Sequence, residues 1–319
     1  MSISGLPFDD IRLLFDNLAG PDEQAVEKVI QRNQVLFGRP TGDIGKIQEW
    51  LARWSGVSPV VSRPLVAVFA GTHRGYEGAG EQAVLERVTR LAAGGAPLNQ
   101  ICALYDLGLK VFDLALQYPV EDISQADALD EKSAAGTFAF GMEAIAGGVD
   151  LLVLADCNSN ASPTPAAVFG ALYGEEEKWS KSAEVLQIAT KAVARHKSIS
   201  GDGLELLRRL GGRESWAMAG AIMAARVEHV PVILDGPGPL SAAAVLKACN
   251  PDSIAHCLAG QAGTESIIGS MIEALGIKPI LPITIDMDEG EGAALAAGFV
   301  KAAALMHSGV EPIGNKLTN

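Results

Sequence analysis

Pro64-Leu65-Val66-Ala67-Val68-Phe69-Ala70, followed at once by Gly71-Thr72-His73-Arg74-Gly75, is the stretch that decides the fold. Its unbroken apolar run leaves neither side of an extended chain suited to water. Such a strand belongs inside a parallel sheet covered on both faces, whereas a half-exposed strand alternates polar and apolar positions. The glycine-bearing turn that follows marks the strand end.

Similar runs recur outward from it, at Leu109–Ala115, Val149–Ala155, Val230–Leu234 and Pro279–Ile285. Helical patterns intervene or follow at Ser133–Ala146, Ser182–Arg195, Ser215–Ala225, Ser241–Ala248 and Ala293–Met306. This alternation predicts an α/β fold, a wound parallel sheet flanked by helices in the Rossmann-like manner. Before residue 60 the pattern is helical only. Ile11, Leu14, Phe15 and Leu18 share one face, and Val26, Val29, Ile30 and Leu36 another, with a break at Gly20-Pro21-Asp22 where Asp22 is the expected cap. An amphipathic helix follows over Ile44–Trp54. The expected organisation is a small helical lobe at 1–60, a parallel α/β domain at 61–290, and a C-terminal helix at 291–319 packing back on the lobe.

Of 319 residues, 48% are hydrophobic and 20% charged, an ordinary globular balance. Lys and Arg number 25 against 38 Asp and Glu, for a net charge of −13. That surface repels a phosphate backbone and no basic cluster interrupts it, so nucleic acid is not an expected partner. Cys102, Cys157, Cys249 and Cys257 form no C-x-x-C pair and the five histidines are scattered, which points to reduced thiols and no zinc site. The start of the chain lacks the basic and apolar regions of a signal peptide. Apolar segments are interrupted before the about 18 residues that a membrane helix needs. The expected location is the cytoplasm.

Ligands of open parallel sheets bind beyond the carboxyl ends of the strands. Four turns are thereby nominated: Gly71-Thr72-His73, Asp156-Cys157-Asn158-Ser159-Asn160, Asp235-Gly236-Pro237, and Asp286-Met287-Asp288-Glu289-Gly290-Glu291-Gly292. In the last, Gly290 and Gly292 allow a tight turn and close approach to a ligand, and the following helix offers free N–H groups. Crowding of Glu289 by Asp286, Asp288 and Glu291 would raise its pKa, which suits a general base acting on an azole N–H. Two other readings stay open: a solvated acidic turn favoured by the helix dipole, and a hard-metal site built on Asp286-x-Asp288-x-Gly290, although the full calcium-loop pattern is absent. Asp156 and Asn158 suit a sugar but are also ordinary turn residues, and His73 and Asp235 can equally be structural.

Several blocks resemble the nicotinate-nucleotide–dimethylbenzimidazole phosphoribosyltransferases. Arg39-Pro40-Thr41-Gly42-Asp43-Ile44-Gly45-Lys46-Ile47 is similar to the family's K-P-P-G-S-L-G-R-L block. Gly94-Gly95-Ala96-Pro97-Leu98-Asn99-Gln100, Asp106–Val111, Leu210–Glu214, Met218–Ile222 and Leu234-Asp235-Gly236 resemble its later blocks. Glu289-Gly290-Glu291-Gly292-Ala293-Ala294-Leu295 resembles E-G-[ST]-G-A-A-L. The order and spacing hold over nearly the whole chain.

The resemblance implies a homodimeric enzyme that needs no cofactor or metal. It would move phosphoribose from nicotinate mononucleotide to a benzimidazole-type base, with Glu289 as general base. It implies substrate contacts at Thr72, His73, Glu86, Asp156, Asn158, Asp235, Gly236, Gly290 and Gly292. The chain also departs from the pattern. The family's A-D-H-G-V reads Ala70-Gly71-Thr72-His73-Arg74-Gly75, and its base-lining Gln falls near Glu86. The expected phosphate-neutralising Lys falls near Glu184-Val185-Leu186, leaving Lys181 as the nearest replacement, and the motif's Ser/Thr is Glu291. These departures imply an altered pocket; the alternative is a catalytically impaired paralogue that binds a ligand or a partner.

Overall fold

In the computed structural model of the protein, the described residues are 5–157, 162–196, 201–264, 266–287 and 289–312. Six parallel strands form one sheet: β1 Pro64–Ala70, β2 Gly108–Asp113, β3 Leu151–Asp156, β4 Val232–Leu234, β5 Cys257–Gln261 and β6 Pro279–Leu281. They lie in the order β2-β1-β3-β4-β5-β6. The chain leaves β1 for the outer β2 and then returns to the other side of β1 as β3, pairing Leu65 with Leu152 and Phe69 with Asp156. This reversal opens a crevice at the carboxyl ends of β1 and β3, where wound sheets take ligands.

Both faces of the sheet are covered. On one, Ala67, Phe69, Leu152, Leu154, Val232 and Leu234 meet helices α1 Phe8–Asp16, α6 Glu131–Met142, α7 Thr164–Tyr173, α8 Ala183–Arg195, α9 Gly203–Leu210, α10 Arg213–Val227, α11 Pro237–Cys249 and α12 Ile267–Leu275. On the other, Val66, Val68, Ala70, Val153, Ala155 and Ile233 meet α3 Asp43–Ser55, α4 Glu81–Ala92, α5 Pro97–Tyr105 and α13 Glu291–Ser308. The alternation of Val66 and Val68 with Ala67 and Phe69 between two cores is why β1 is apolar throughout. Helix α2, Glu23–Phe37, packs on α3, and Asp22 caps it by accepting from the Ala25 N–H at 2.8 Å.

α13 packs on α3 and on the sheet, against β3, β4 and β5. A buried polar string fixes its far end: Asn33 donates to Gln48 at 2.7 Å, Gln48 donates to the Ala303 carbonyl at 2.7 Å, and the His307 ring lies 3.0 Å from Asn33. α3 reaches β5 as well, with Trp50 donating to the His256 carbonyl at 3.2 Å and the Arg226 guanidinium stacked 4.6 Å over Trp54. Burial beside that cation drives the His256 imidazole down to about 3.

The sequence pattern anticipated five of the strands and missed β5. Cys257-Leu258-Ala259-Gly260-Gln261 is short, built from small residues and interrupted by glycine, and β4 and β6 on either side hold it extended. The last strand is shorter than expected because Pro282 follows Leu281 and can donate nothing to a ladder.

α6 and α10 cross at close range, with every residue from Glu214 to Arg226 buried. A Cβ at Gly220 would collide with the Phe138 carbonyl, a backbone atom that cannot swing aside. Gly220→Ala is therefore expected to cost about 1–3 kcal/mol, read as a lower denaturant midpoint.

Candidate active site

Asp156 ends β3 and is buried at 2% exposure. Its carboxylate lies over Gly238 in the first turn of α11, and a Cβ on that glycine would run into it. The unsatisfied N–H groups of a helix start favour a negative charge at that point. Beyond Asp156, Asn158 falls outside the described residues.

Glu289 reaches the same place from the other side of the sheet. It precedes Gly290, which takes the left-handed conformation at φ +94° and lies directly on the Ala155 side chain. That contact brings the β6–α13 turn across to the end of β3. The buried Cys157 thiol reports the result: burial raises its pKa, and the charges of Asp156 and Glu289 raise it further. Glu289 is buried at 6% and Glu291 at 2%, while Asp286 is exposed. Asp288 is outside the described residues. Glu291 is the close neighbour and accepts from the Glu289 N–H at 2.9 Å.

Asp235 is held by donors of the protein itself. One of its oxygens accepts from the Gln261 amide at 2.8 Å, and the other from the Ala293 N–H at 3.0 Å, with the Gly292 N–H adding to the set. Burial raises its pKa, those donors oppose the rise, and Glu291 adds to it. Gly236, at φ +86°, makes the turn into α11.

At the end of β1, the Thr72 hydroxyl donates to the Leu116 carbonyl at 2.8 Å, and the Thr72 carbonyl accepts from Val120 at 2.9 Å. His73 Nε2 lies 2.8 Å from Glu214, with both side chains 2% exposed. These bonds tie the turn to the 114–120 loop and to the start of α10. Glu86 is not brought to the crevice; it is exposed on the outer face of α4, accepting from Gln82 at 3.3 Å. Its neighbour Arg87 faces inward, on the side of Val84 and Leu91, and donates to the Cys157 and Gly78 carbonyls at 3.0 and 3.1 Å. Lys181 is exposed, and Val185 is buried in the core. The residues missed from sequence are Arg87, Glu214 and Gln261. Glu214 alone carried a signal, since it closes the Leu210–Glu214 block.

Among the described residues, the strand-end crevice brings together the buried carboxylates Asp156 and Glu289, with Glu291 and Asp235 behind them and Arg87 directed inward beside Cys157. A wound parallel sheet with polar side chains gathered at its strand ends is the frame in which α/β enzymes take their ligands. The sequence matches the family described as "Phosphoribosyltransferase" over residues 18–314. It is 49% identical to the nicotinate-nucleotide–dimethylbenzimidazole phosphoribosyltransferase of a Sinorhizobium species, spanning 97% of this chain and 96% of that one. Identity to the protein of the same name from Rhizobium rhizogenes is 47%, with the same coverage. The crystal structure of the corresponding protein from Thermus thermophilus superposes with a TM-score of 0.79 at 25% identity, covering 91% of this chain and 97% of that one. The chain belongs to the nicotinate-nucleotide–dimethylbenzimidazole phosphoribosyltransferase family. No helix among the described residues is long and apolar enough to cross a membrane.

The raised pKa of Asp235 has a definite sign in stability. Its folded value stands above the ordinary 3.8, so its contribution to the fold is full below 3.8 and is lost as pH rises through the folded value. Asp235→Asn cannot ionise. The stability advantage of the wild type over this variant is expected to decrease as pH rises above about 3.8 in denaturation series. A difference that grows with pH would contradict the assignment.

Proposed function

We propose that the chain transfers the phosphoribosyl group of nicotinate mononucleotide to a benzimidazole-type base in the synthesis of a cobalamin lower ligand. The azole nitrogen attacks the anomeric carbon, the bond from that carbon to nicotinate breaks, and the azole proton passes to Glu289. Written this way, the reaction balances without a metal or a redox cofactor. The observation that carries the reading is the seating of Glu289: a buried carboxylate, set against Ala155 by Gly290, beside Asp156 at the crevice of the sheet.

In this reading Asp156 faces the ribose, Asn158 is a further proposed sugar contact, Gly290 and Gly292 pass close to the bound nucleotide, and His73 and Gly236 line the crevice mouth. Thr72 and Asp235 act through the backbone they hold. Arg87 answers the negative charge of the donor, the role expected of a lysine near Glu184-Val185-Leu186. The protein works in the cytoplasm as a homodimer, and the division at 1–60, 61–290 and 291–319 belongs to the same proposal, with α13 joining its parts.

The test is to mix purified protein with nicotinate mononucleotide and dimethylbenzimidazole and to follow free nicotinate. Glu289→Gln is expected to lower kcat by a factor on the order of 10²–10⁴ while leaving nucleotide binding by calorimetry in place. Binding of either ligand by the wild type without nicotinate release would instead support the reading as a ligand-binding paralogue.

A further inference from the structure

Gln261 is 1% exposed, at the end of the strand that the sequence pattern missed. Its carboxamide makes bonds in two directions. Toward the chain leaving β6, the amide donates to the Ile285 carbonyl at 3.0 Å and the carbonyl oxygen accepts from the Ile285 N–H. Toward β4, the same amide donates to Asp235 at 2.8 Å. Asp235 in turn accepts from Ala293 at 3.0 Å and from Gly292. The segment carrying Glu289 is therefore gripped at both ends, at Ile285 by Gln261 and at residues 292–293 by Asp235, and the two grips are joined to each other. Inside the segment, Glu291 holds the Glu289 N–H at 2.9 Å.

We propose that Gln261 is a positioning residue for the reaction: through Ile285 and Asp235 it sets where the Glu289 carboxylate stands when the azole arrives. The inference rests on the function proposed above. A carboxamide suits this point because it must accept from one N–H and donate to both a carbonyl and a carboxylate. Neither a carboxylate nor an apolar side chain of the same length can do all three. The grip acts on rate and not on substrate affinity, because Gln261 touches the frame of the base and its own polar atoms are taken up by protein groups. Misplacing a reacting group by about 1 Å can cost on the order of 100-fold.

The test uses steady-state kinetics on the full-length chain with nicotinate mononucleotide and dimethylbenzimidazole. Gln261→Met keeps the length and removes the hydrogen bonds; it is expected to lower kcat by on the order of 10- to 100-fold, with KM for both substrates within about twofold. Gln261→Glu sets a carboxylate against Asp235 and is expected to fall at least as far. Combining it with Asp235→Asn restores a donor–acceptor pair of reversed polarity and is expected to recover kcat to within about tenfold of wild type. Unchanged kcat in Gln261→Met overturns the proposal. So does a double variant no faster than Gln261→Glu, which also decides the matter if the Met variant does not fold. A fall in kcat matched by an equal loss of nucleotide binding, or of folded protein by circular dichroism, would make the role structural and overturn it as well. Wild-type protein that releases no nicotinate removes the proposed function and this inference together, whereas an active wild type with an insensitive position 261 removes this inference alone.

Discussion

The bond from the Ala293 N–H to Asp235 is the interaction on which the rest of the structure depends. The first N–H groups of any helix have no partner inside it. α13 begins after Gly290, which has no side chain to supply one. The missing acceptor comes from a strand end 58 residues earlier, so the start of α13 is closed by the sheet and not by its own sequence. Leaving those N–H groups buried and unanswered would cost about 1–3 kcal/mol for each group. It would also release the turn that holds Glu289.

What makes so remote a cap workable is the character of α13 itself. Its alanines and glycines are buried on nearly every side, between the sheet and α3. Small side chains let the helix lie close to β3 and β4, and that closeness places Gly290 on Ala155. At its far end, Gln48 and Asn33 satisfy the Ala303 carbonyl and the His307 ring, so polar groups from distant segments fix the helix at both termini. A helix pinned this way has little freedom to slide, which a precisely placed carboxylate at its start requires.

Much of this was legible in the sequence, for reasons that particular residues make plain. Pro64–Ala70 could be read because a strand buried on both faces carries its own signature. The turn around Glu289 could be read because two glycines and a helix start are local features. Helix rotation defeated the reading of Glu86: consecutive residues point about 100° apart, so the neighbour Arg87 faces the crevice while Glu86 faces solvent. Gln261 was invisible because its meaning lies in its neighbours. A glutamine after a short, glycine-containing run says nothing until β4 and β6 stand beside it. Asp235 looked like a ligand contact for a similar reason, since a strand-end carboxylate looks the same in sequence whether it faces a substrate or a helix.

The contact between Gly290 and Ala155 has a consequence in the order of assembly. Glu289 is seated by its neighbours Gly290 and Glu291 and by groups far earlier in the chain: Ala155 on β3, Asp235 after β4, Gln261 at the end of β5. The strands can pair with one another without α13, and the crevice then stands without Glu289 in place. On the function proposed here, the crevice gains its Glu289 carboxylate only when α13 is docked, so the docking of that helix ties the site to the pairing of β3, β4 and β5.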